Sequence, residues 1–312
     1  MAIIAVEARG TDMTLETRTL HPTLAREVIG LRLWEKLDDA TVAELRELYA
    51  RFGVVVFRRQ ALGERELADF CALFGPLERT VRSDWASVAV PEVTVLSNLK
   101  DGLGRNIGGL GDGELQWHSD QSYMEKPATG AALYALELPP DGGETFWLDL
   151  RAAYAGLPRD LRGKINGKRG IFDYAKRLAG YGRDSDSKIS DETRRLTPPV
   201  THSLVRSHPE TGERSLYLDS TTTIGIDYMD TTSGMTLLDE VYAAATRDEF
   251  VYAHQWQVGD LVVWDNGFTM HRRNPFDPSD RRLMKRMTMS LDKYRHVMPD
   301  GRPAASEVGM PI

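Results

Sequence analysis

The sequence is poor in the features that mark secreted and membrane-bound proteins. Its one cysteine, Cys71, excludes an internal disulfide and lies in the apolar segment ERELADFCALFG, so we predict that it is a core residue. No apolar run reaches the roughly 18 residues of a membrane span. The first residues, MAIIAVEARGTD, carry no signal-peptide or lipidation pattern. These absences predict a cytoplasmic protein that has no membrane partner.

The chain also lacks an excess of positive charge. Its 46 acidic and 39 basic residues give a net charge of -7, which argues against a nucleic-acid partner. A small anionic substrate would therefore need a local basic pocket. With 41% hydrophobic and 27% charged residues, the composition is that of a globular enzyme with enough apolar material for a large core.

The hydrophobic pattern predicts a mainly β fold with flanking helices. Apolar residues at helical spacing predict helices at 38–53, 64–75, 150–164 and 233–248, and the segment VVVFR is a short strand. After Val93, many short apolar segments alternate with turn residues, which is typical of a sandwich or jelly roll. We expect one domain over residues 1–312, with an irregular, lid-like insertion at about 167–196 and a loose tail from about 295.

Three residues form a candidate metal site. In QWHSDQSY, His118 and Asp120 are two residues apart, so on a strand both side chains leave the same face. His271 follows the later strand segment DLVVWDN and can complete the set. Two histidines and one carboxylate leave three adjacent positions open on a metal, as in non-heme Fe(II) oxygenases. The alternative is a hydrogen-bonded His-x-Asp pair that binds no metal.

Two arginines follow the third candidate ligand. In DRRLMKRMTMS, Arg282 and Arg286 share one strand face. A guanidinium stays charged and presents a planar fork to a carboxylate, so an inward arginine near a metal could bind a dicarboxylate cosubstrate. A solvated basic edge is the alternative interpretation of the same segment.

Together these motifs resemble the taurine dioxygenase and chlorophenoxyacetate dioxygenase family. The resemblance runs from FGVVVFRRQ and FCALFGPLE through WHSDQSY, PPDGGETFW and VWDNGFTMHRR to RRLMKRMT. It implies a double-stranded β-helix (jelly roll, cupin-like) core and an enzyme that uses Fe(II), 2-oxoglutarate and O2. By this resemblance His118, Asp120 and His271 would bind iron, and Arg282 with Thr145 would bind the distal carboxylate of 2-oxoglutarate. The implied reaction oxidises a C–H bond of the substrate and releases succinate and CO2.

The substrate is less well defined by the sequence. The resemblance puts Arg286 near the inner carboxylate of the cosubstrate or an anionic group of the substrate. Glu114 and Thr222 fall at substrate-contact positions where the taurine enzyme has other residues, which argues against taurine itself as substrate, and Tyr123 is a further candidate contact. The insertion and the residues just before it add a possible cationic funnel, which favours a small anionic substrate. Its members are Lys164, Lys168, Arg169, Lys176, Arg177 and Arg183. A homo-oligomer is left open. Two other functions also stay open: a cupin-like metal enzyme that uses no oxoacid, and a non-catalytic jelly-roll binding protein.

Overall fold

A computed structural model describes residues 15–79, 83–180, 191–209 and 211–290. Its helices are α1 (Asp39–Phe52), α2 (Glu64–Ala72), α3 (Leu150–Gly156), α4 (Arg159–Ile165), α5 (Tyr174–Gly180), α6 (Asp191–Leu196) and α7 (Thr231–Ala245), with short 3-10 turns at Ser83–Trp85 and Asp248–Phe250. Its strands are β1 (Thr17–Thr19), β2 (Arg26–Val28), β3 (Val54–Phe57), β4 (Leu77–Glu78), β5 (Thr94–Ser97), β6 (Gly109–Leu110), β7 (Leu115–His118), β8 (Gly130–Glu137), β9 (Thr145–Asp149), β10 (Arg169–Phe172), β11 (Val200–Ser203), β12 (Val205–Ser207), β13 (Arg214–Leu216), β14 (Thr223–Ile226), β15 (Val251–His254), β16 (Leu261–Asp265), β17 (Thr269–Arg273) and β18 (Leu283–Met289).

The helices near the N-terminus begin and end where their capping residues predict. The Asp38 carboxylate accepts a hydrogen bond from the Thr41 backbone N–H at 2.7 Å, and α1 ends at Gly53, which has a φ of 70°. Glu66 closes the first turn of α2 by accepting the Gly63 N–H at 2.7 Å. Cys71 of α2 is fully buried, so its prediction as a core residue is confirmed. No helix in the described part of the chain is both long and apolar enough to cross a membrane.

Two β-sheets form the jelly-roll core that the sequence predicts. The larger sheet has the order β1-β2-β3-β16-β8-β18-β5-β6, with β4 also paired to β18, and the smaller sheet has the order β15-β9-β17-β7. Alternate residues of both sheets, including Val56, Leu133, Trp147, Trp264 and Met284, share one buried cluster. This cluster is the inner core, and it fixes the sheet that carries the candidate metal ligands.

The outer face of each sheet is covered as well. Helices α1 and α2 pack on the larger sheet in a cluster with Val55, Phe57 and Met287. Helices α3, α4 and α7 pack against Leu148 and Met270 of the smaller sheet. Because strand residues alternate between faces, burial on both faces explains why β16 reads as the continuous apolar run LVVWD.

The prediction of an irregular segment at 167–196 is wrong for the residues that the structure describes. Strand β10 pairs with β11 and β14 in a separate three-stranded sheet, followed by α5 and then α6. Phe172 of β10 is fully buried against Tyr217, and Asp173 caps α5 by accepting the Ala175 N–H at 2.8 Å. This strand was not predicted because its apolar run, GIF, is short and lies among charged residues, so it shows no hydrophobic periodicity. Residues 181–190 and the predicted loose tail from 295 lie outside the described residues.

Candidate metal centre

The two candidate histidine ligands stand opposite each other on neighbouring strands. Antiparallel pairing of β7 with β17 sets His118 directly against His271, and their ring centroids are 4.1 Å apart. On its other side β17 pairs with β9, which sets His271 against Trp147. Trp264 also contacts the His271 ring, with centroids 5.0 Å apart. Cross-strand register, rather than sequence proximity, therefore brings the two imidazoles together.

Asp120 joins them from a turn, not from a strand. Strand β7 ends at His118, so the prediction that His118 and Asp120 leave one strand face is wrong. The chain turns at Gln121, which has a φ of 55°, and the Asn266 amide donates to Asp120 Oδ2 at 3.2 Å. The turn nevertheless directs the carboxylate back towards the histidines.

The three side chains form a compact, buried donor set. One oxygen or nitrogen of each lies within 4.8 Å of the others. His118 Nε2 is 3.8 Å from Asp120 Oδ1, and His271 Nε2 is 3.8 Å from Asp120 Oδ2. His118 Nδ1 donates to the carbonyl oxygen of Gln116 at 2.7 Å, since a carbonyl can only accept. This bond leaves the Nε2 lone pair of His118 for a metal.

The electrostatics favour the protonation states that a metal requires. Burial lowers the pKa of His118 to about 3, with a further contribution from His271, and burial lowers the pKa of His271 to about 4. Burial alone would raise the pKa of Asp120, but the charge of Arg286 and the two histidines hold it well below its usual range. Two neutral imidazoles and one carboxylate at neutral pH fit an Fe(II) ion with three open positions.

Arg282 is a buried cation that forms no ion pair with any of the described residues. Its side chain is 3% exposed, and its Nε has no hydrogen-bond partner among the described residues. Burial and the charge of Arg273 lower the pKa of Arg282 to about 9. A Cβ atom on Gly143 would lie 3.4 Å from Arg282 Nε, so the guanidinium packs against the turn that leads into Thr145. Such a pocket fits the distal carboxylate of 2-oxoglutarate.

Thr145 is the first residue of β9 and is buried beside this turn. Its Oγ1 accepts a hydrogen bond from Trp256 Nε1 at 3.1 Å. Because the oxygen already accepts a bond, the hydroxyl hydrogen can be donated to a carboxylate. The nearby Arg273 is not a second free cation, since its guanidinium donates to the backbone oxygens of Leu110 and Gly113.

Two further arginines flank the triad. Arg286 forms a 2.8 Å ion pair with Asp120 Oδ2. Arg177 lies on α5, and its charge contributes to the lowered pKa of each triad residue. Tyr123 packs against Tyr174 of α5, with ring centroids 4.4 Å apart and the rings tilted by 36°. The structure thus brings Arg177 and Tyr123, which are far apart in the sequence, to the side of the triad that α5 covers.

The other predicted contacts have different surroundings. Thr222 is fully buried, and its hydroxyl shares a 2.7 Å hydrogen bond with Ser122 Oγ. Glu114 is exposed just before β7. The other insertion cations do not form one funnel, since Lys164 pairs with Glu240 at 3.3 Å and Arg169 donates to the Thr201 backbone. Arg183 lies outside the described residues.

Sequence reasoning missed two residues that support the ligands, Asn266 and Asp219. Asn266 holds Asp120, as described above, and also accepts the indole N–H of Trp264 at 2.9 Å. Asp219 accepts hydrogen bonds from Ser119 and Ser122, the residues on either side of the Asp120 turn. The segment LYLDSTTT did contain a signal, because an aspartate followed by hydroxyl residues favours a side-chain-capped turn.

Comparison with known proteins agrees with this geometry. A family model described as "Taurine catabolism dioxygenase TauD, TfdA family" matches residues 16–288. The chain belongs to the TauD/TfdA dioxygenase family. It is 35% identical to an alpha-ketoglutarate-dependent 2,4-dichlorophenoxyacetate dioxygenase of Cupriavidus pinatubonensis, over 88% of this chain and 98% of that protein. It is 31% identical to pentalenolactone F synthase of Streptomyces avermitilis, over 88% of this chain and 94% of that protein.

A solved structure supports the same conclusion for the TauD/TfdA fold. The crystal structure of AAD-2 in complex with Mn(II) and N-oxalylglycine has a TM-score of 0.75 and 31% identity, and covers 89% of this chain and 97% of that one. The chain is therefore a 2-oxoglutarate-dependent dioxygenase with a jelly-roll core, and it uses Fe(II), 2-oxoglutarate and O2. The comparisons do not favour the cupin-like enzyme without an oxoacid or the non-catalytic binding protein.

Proposed function

We propose that this dioxygenase oxidises a C–H bond of a small organic anion, whose charged group is bound by Arg286 and Arg177. The observation that carries the proposal is the position of these two cations beside a buried triad in a protein of net charge -7. Before substrate binds, Arg286 is paired with Asp120. A guanidinium has five N–H donors, so Arg286 can keep one bond to Asp120 and present others to a substrate carboxylate.

The other residue roles follow from their contacts. His118, Asp120 and His271 would hold Fe(II), while Arg282 and Thr145 would hold the distal carboxylate of 2-oxoglutarate. The metal and cosubstrate supply the oxidising chemistry when bound, with release of succinate and CO2. The protein orients both and excludes water, because the three ligands are buried.

The packed pair of Tyr123 and Tyr174 supports a substrate with an apolar or aromatic body. Both rings are half-buried next to Arg177 on α5. Aromatic side chains bind flat apolar groups while their hydroxyls stay near solvent. Thr222 is a weaker candidate contact because its hydroxyl is already bound to Ser122, and exposed Glu114 would at most contact a substrate at the entrance. A cytoplasmic location and a homo-oligomeric state stay predictions.

The test is a screen for succinate formation that depends on substrate. The Fe(II) protein is given 2-oxoglutarate, O2 and a panel of carboxylates that includes 2,4-dichlorophenoxyacetate, each beside its neutral amide. We expect an acid, but not its amide, to stimulate succinate release. Equal stimulation by an acid and its amide would contradict the role of the arginines.

Two matched variants test whether Arg286 binds the charged group of the substrate. Arg286→Gln should weaken use of the stimulating acid by about 2–5 kcal/mol, the usual loss for one partner of a buried charge pair. Lys285→Gln is the control, because Lys285 lies one residue away and pairs with Glu64 at 3.1 Å. Mn(II) affinity is measured in both variants, so that loss of metal is distinguished from loss of substrate binding.

A further inference from the structure

Asp219 is a fully buried carboxylate between the metal-ligand turn and the helix that carries Arg177. Its side chain is 0% exposed and lies in the connection between β13 and β14. Five hydrogen bonds converge on its two oxygens. All five groups are donors, and an ionised carboxylate suits them because both of its oxygens only accept hydrogen bonds, whereas an asparagine has a single acceptor oxygen.

One oxygen of Asp219 holds the turn that contains the ligand Asp120. Asp219 Oδ2 accepts the Ser119 backbone N–H at 3.1 Å and the Ser122 hydroxyl at 2.6 Å. Next to it, Ser220 donates from its N–H and its hydroxyl to the carbonyl oxygen of Trp117, at 3.0 and 2.6 Å. The end of β7 and the turn after it are therefore attached at several points to the segment that begins at Asp219.

The other oxygen of Asp219 shapes its own turn. Oδ1 accepts the Thr221 N–H and hydroxyl, both at 2.7 Å, and the Thr222 N–H at 3.1 Å. Backbone oxygens at the end of this turn accept hydrogen bonds from α5 and from the residue that precedes it. The Thr222 oxygen accepts the Asp173 N–H at 2.8 Å, and the Thr223 oxygen accepts Lys176 Nζ at 2.7 Å.

We propose that Asp219 is a positioning residue that holds the Asp120 turn and α5 in one fixed arrangement, so that the metal centre and the Arg177 side of the substrate pocket are set together. The proposal rests on the metal centre and substrate pocket proposed above. Asp219 contacts neither metal nor substrate in this arrangement; it acts through Ser119 and Ser122 on one side and through Thr222 and Thr223 on the other.

The test compares substitutions at the two oxygens of Asp219. In Asp219→Asn, the amide oxygen can still accept the hydrogen bonds of Thr221 and Thr222. The NH2 group then faces the Ser119 N–H, and these two groups are both donors that cannot pair. Ser122→Ala removes one of the two donors to Oδ2 and leaves Asp219 in place. It therefore tests the contacts of Oδ2 even if Asp219→Asn fails to fold. Thr221→Val is the matched control, since it removes one donor from Oδ1 only.

The first measurement is Mn(II) affinity of the metal-free full-length protein, from the electron paramagnetic resonance signal of free Mn(II). Loss of a residue that orients a metal ligand typically weakens metal binding roughly 10- to 100-fold, which we expect for Asp219→Asn. Ser122→Ala should lose about fivefold, as for one neutral hydrogen bond, and Thr221→Val should stay within about twofold of wild type. Wild-type affinity in both Asp219→Asn and Ser122→Ala, or an equal loss in Thr221→Val, would overturn the proposal.

Two readouts separate positioning from a general loss of structure. At saturating Fe(II), the anaerobic 2-oxoglutarate titration midpoint should stay within about twofold in Asp219→Asn, because Thr145 begins β9 and Arg282 directly precedes β18, and neither belongs to the segments that Asp219 holds. Hydrogen exchange of the α5 amides should be faster in Thr221→Val than in Ser122→Ala, because Oδ1 shapes the turn whose backbone oxygens hold α5, and equal exchange in the two variants would refute the link to α5. If the wild type binds no Mn(II), or His118→Ala binds it equally well, the proposed metal centre itself is wrong.

Discussion

Replacing Arg282 with leucine isolates the cosubstrate pocket from the metal site. The guanidinium is buried against the Gly143 turn, and its Nε has no partner among the described residues. Leucine fills most of the same volume without a charge. We therefore expect Arg282→Leu to bind Fe(II) normally and to bind 2-oxoglutarate poorly.

The expected loss follows from the environment of the side chain. At 3% exposure, solvent scarcely screens the interaction between Arg282 and a carboxylate. Loss of such a charge-assisted pair costs about 2–4 kcal/mol, or roughly thirty- to a thousandfold in the dissociation constant of 2-oxoglutarate. Arg282→Lys should recover little, because an ammonium group cannot reproduce the planar fork. Without cosubstrate, Arg282→Leu should be at least as stable as wild type, since an uncompensated buried charge is removed.

The assay is anaerobic titration of the Fe(II) protein with 2-oxoglutarate, followed by the visible charge-transfer band expected from chelation. Arg281→Leu is a close control, because Arg281 is the adjacent residue, is exposed and pairs with Glu137 at 2.6 Å. Its loss should shift the midpoint by less than about twofold, as exposed ion pairs contribute little. An unchanged midpoint in Arg282→Leu, or equal shifts in both variants, would refute the pocket assignment.

Three further predictions concern the triad, the threonine and a buried histidine. His118→Ala, Asp120→Ala and His271→Ala should each abolish succinate formation and weaken Mn(II) binding while the protein stays folded, and normal turnover with normal metal content in any one of them would contradict the assignment. Thr145→Val should cost about 1 kcal/mol, or roughly fivefold, in the 2-oxoglutarate titration midpoint. Burial lowers the pKa of His202 to about 3, so between pH 6.5 and 3 the unfolded chain binds a proton that the folded protein does not. The free energy of unfolding should therefore fall as the pH is lowered through this window, by up to about 1.4 kcal/mol per pH unit from this group, and urea titrations at several pH values should give a flatter profile for His202→Gln.

The parts of the fold that the sequence predicted well are those where local and tertiary preferences agree. Helix α1 has a side-chain cap at one end and a left-handed glycine at the other, and the β-strands of the two core sheets alternate or are wholly apolar as burial requires. Strand β10 was missed because its burial depends on β11, β14 and the Tyr217 ring, all more than 25 residues away. A four-residue strand among charged residues has no local period long enough to detect.

The candidate site was also predicted only in part. Residue type and spacing predicted the iron triad, because a metal demands particular donors. Spacing also suggested Arg282 as a carboxylate ligand, whereas Thr145 came only from the family resemblance, and the cosubstrate roles of both residues stay predictions. The supporting contacts of Asp219 and Asn266 were not predicted, since each joins segments about 100 or more residues apart. The assignment of Asp120 to a strand was wrong for a related reason: the turn at Gln121 depends on those distant contacts, which a local pattern does not contain.

The smaller sheet also has a consequence for how this protein can diverge. Strand β17, with His271, is paired on both sides, whereas β7, with His118, ends the described strand order and has a strand neighbour on one side only. A change in length beside β17 would displace two partners, while a change before β7 can be absorbed by the loop at the margin. Insertions and deletions should therefore be better tolerated in the segment before β7 than in those beside β17, which holds His271 between two paired strands.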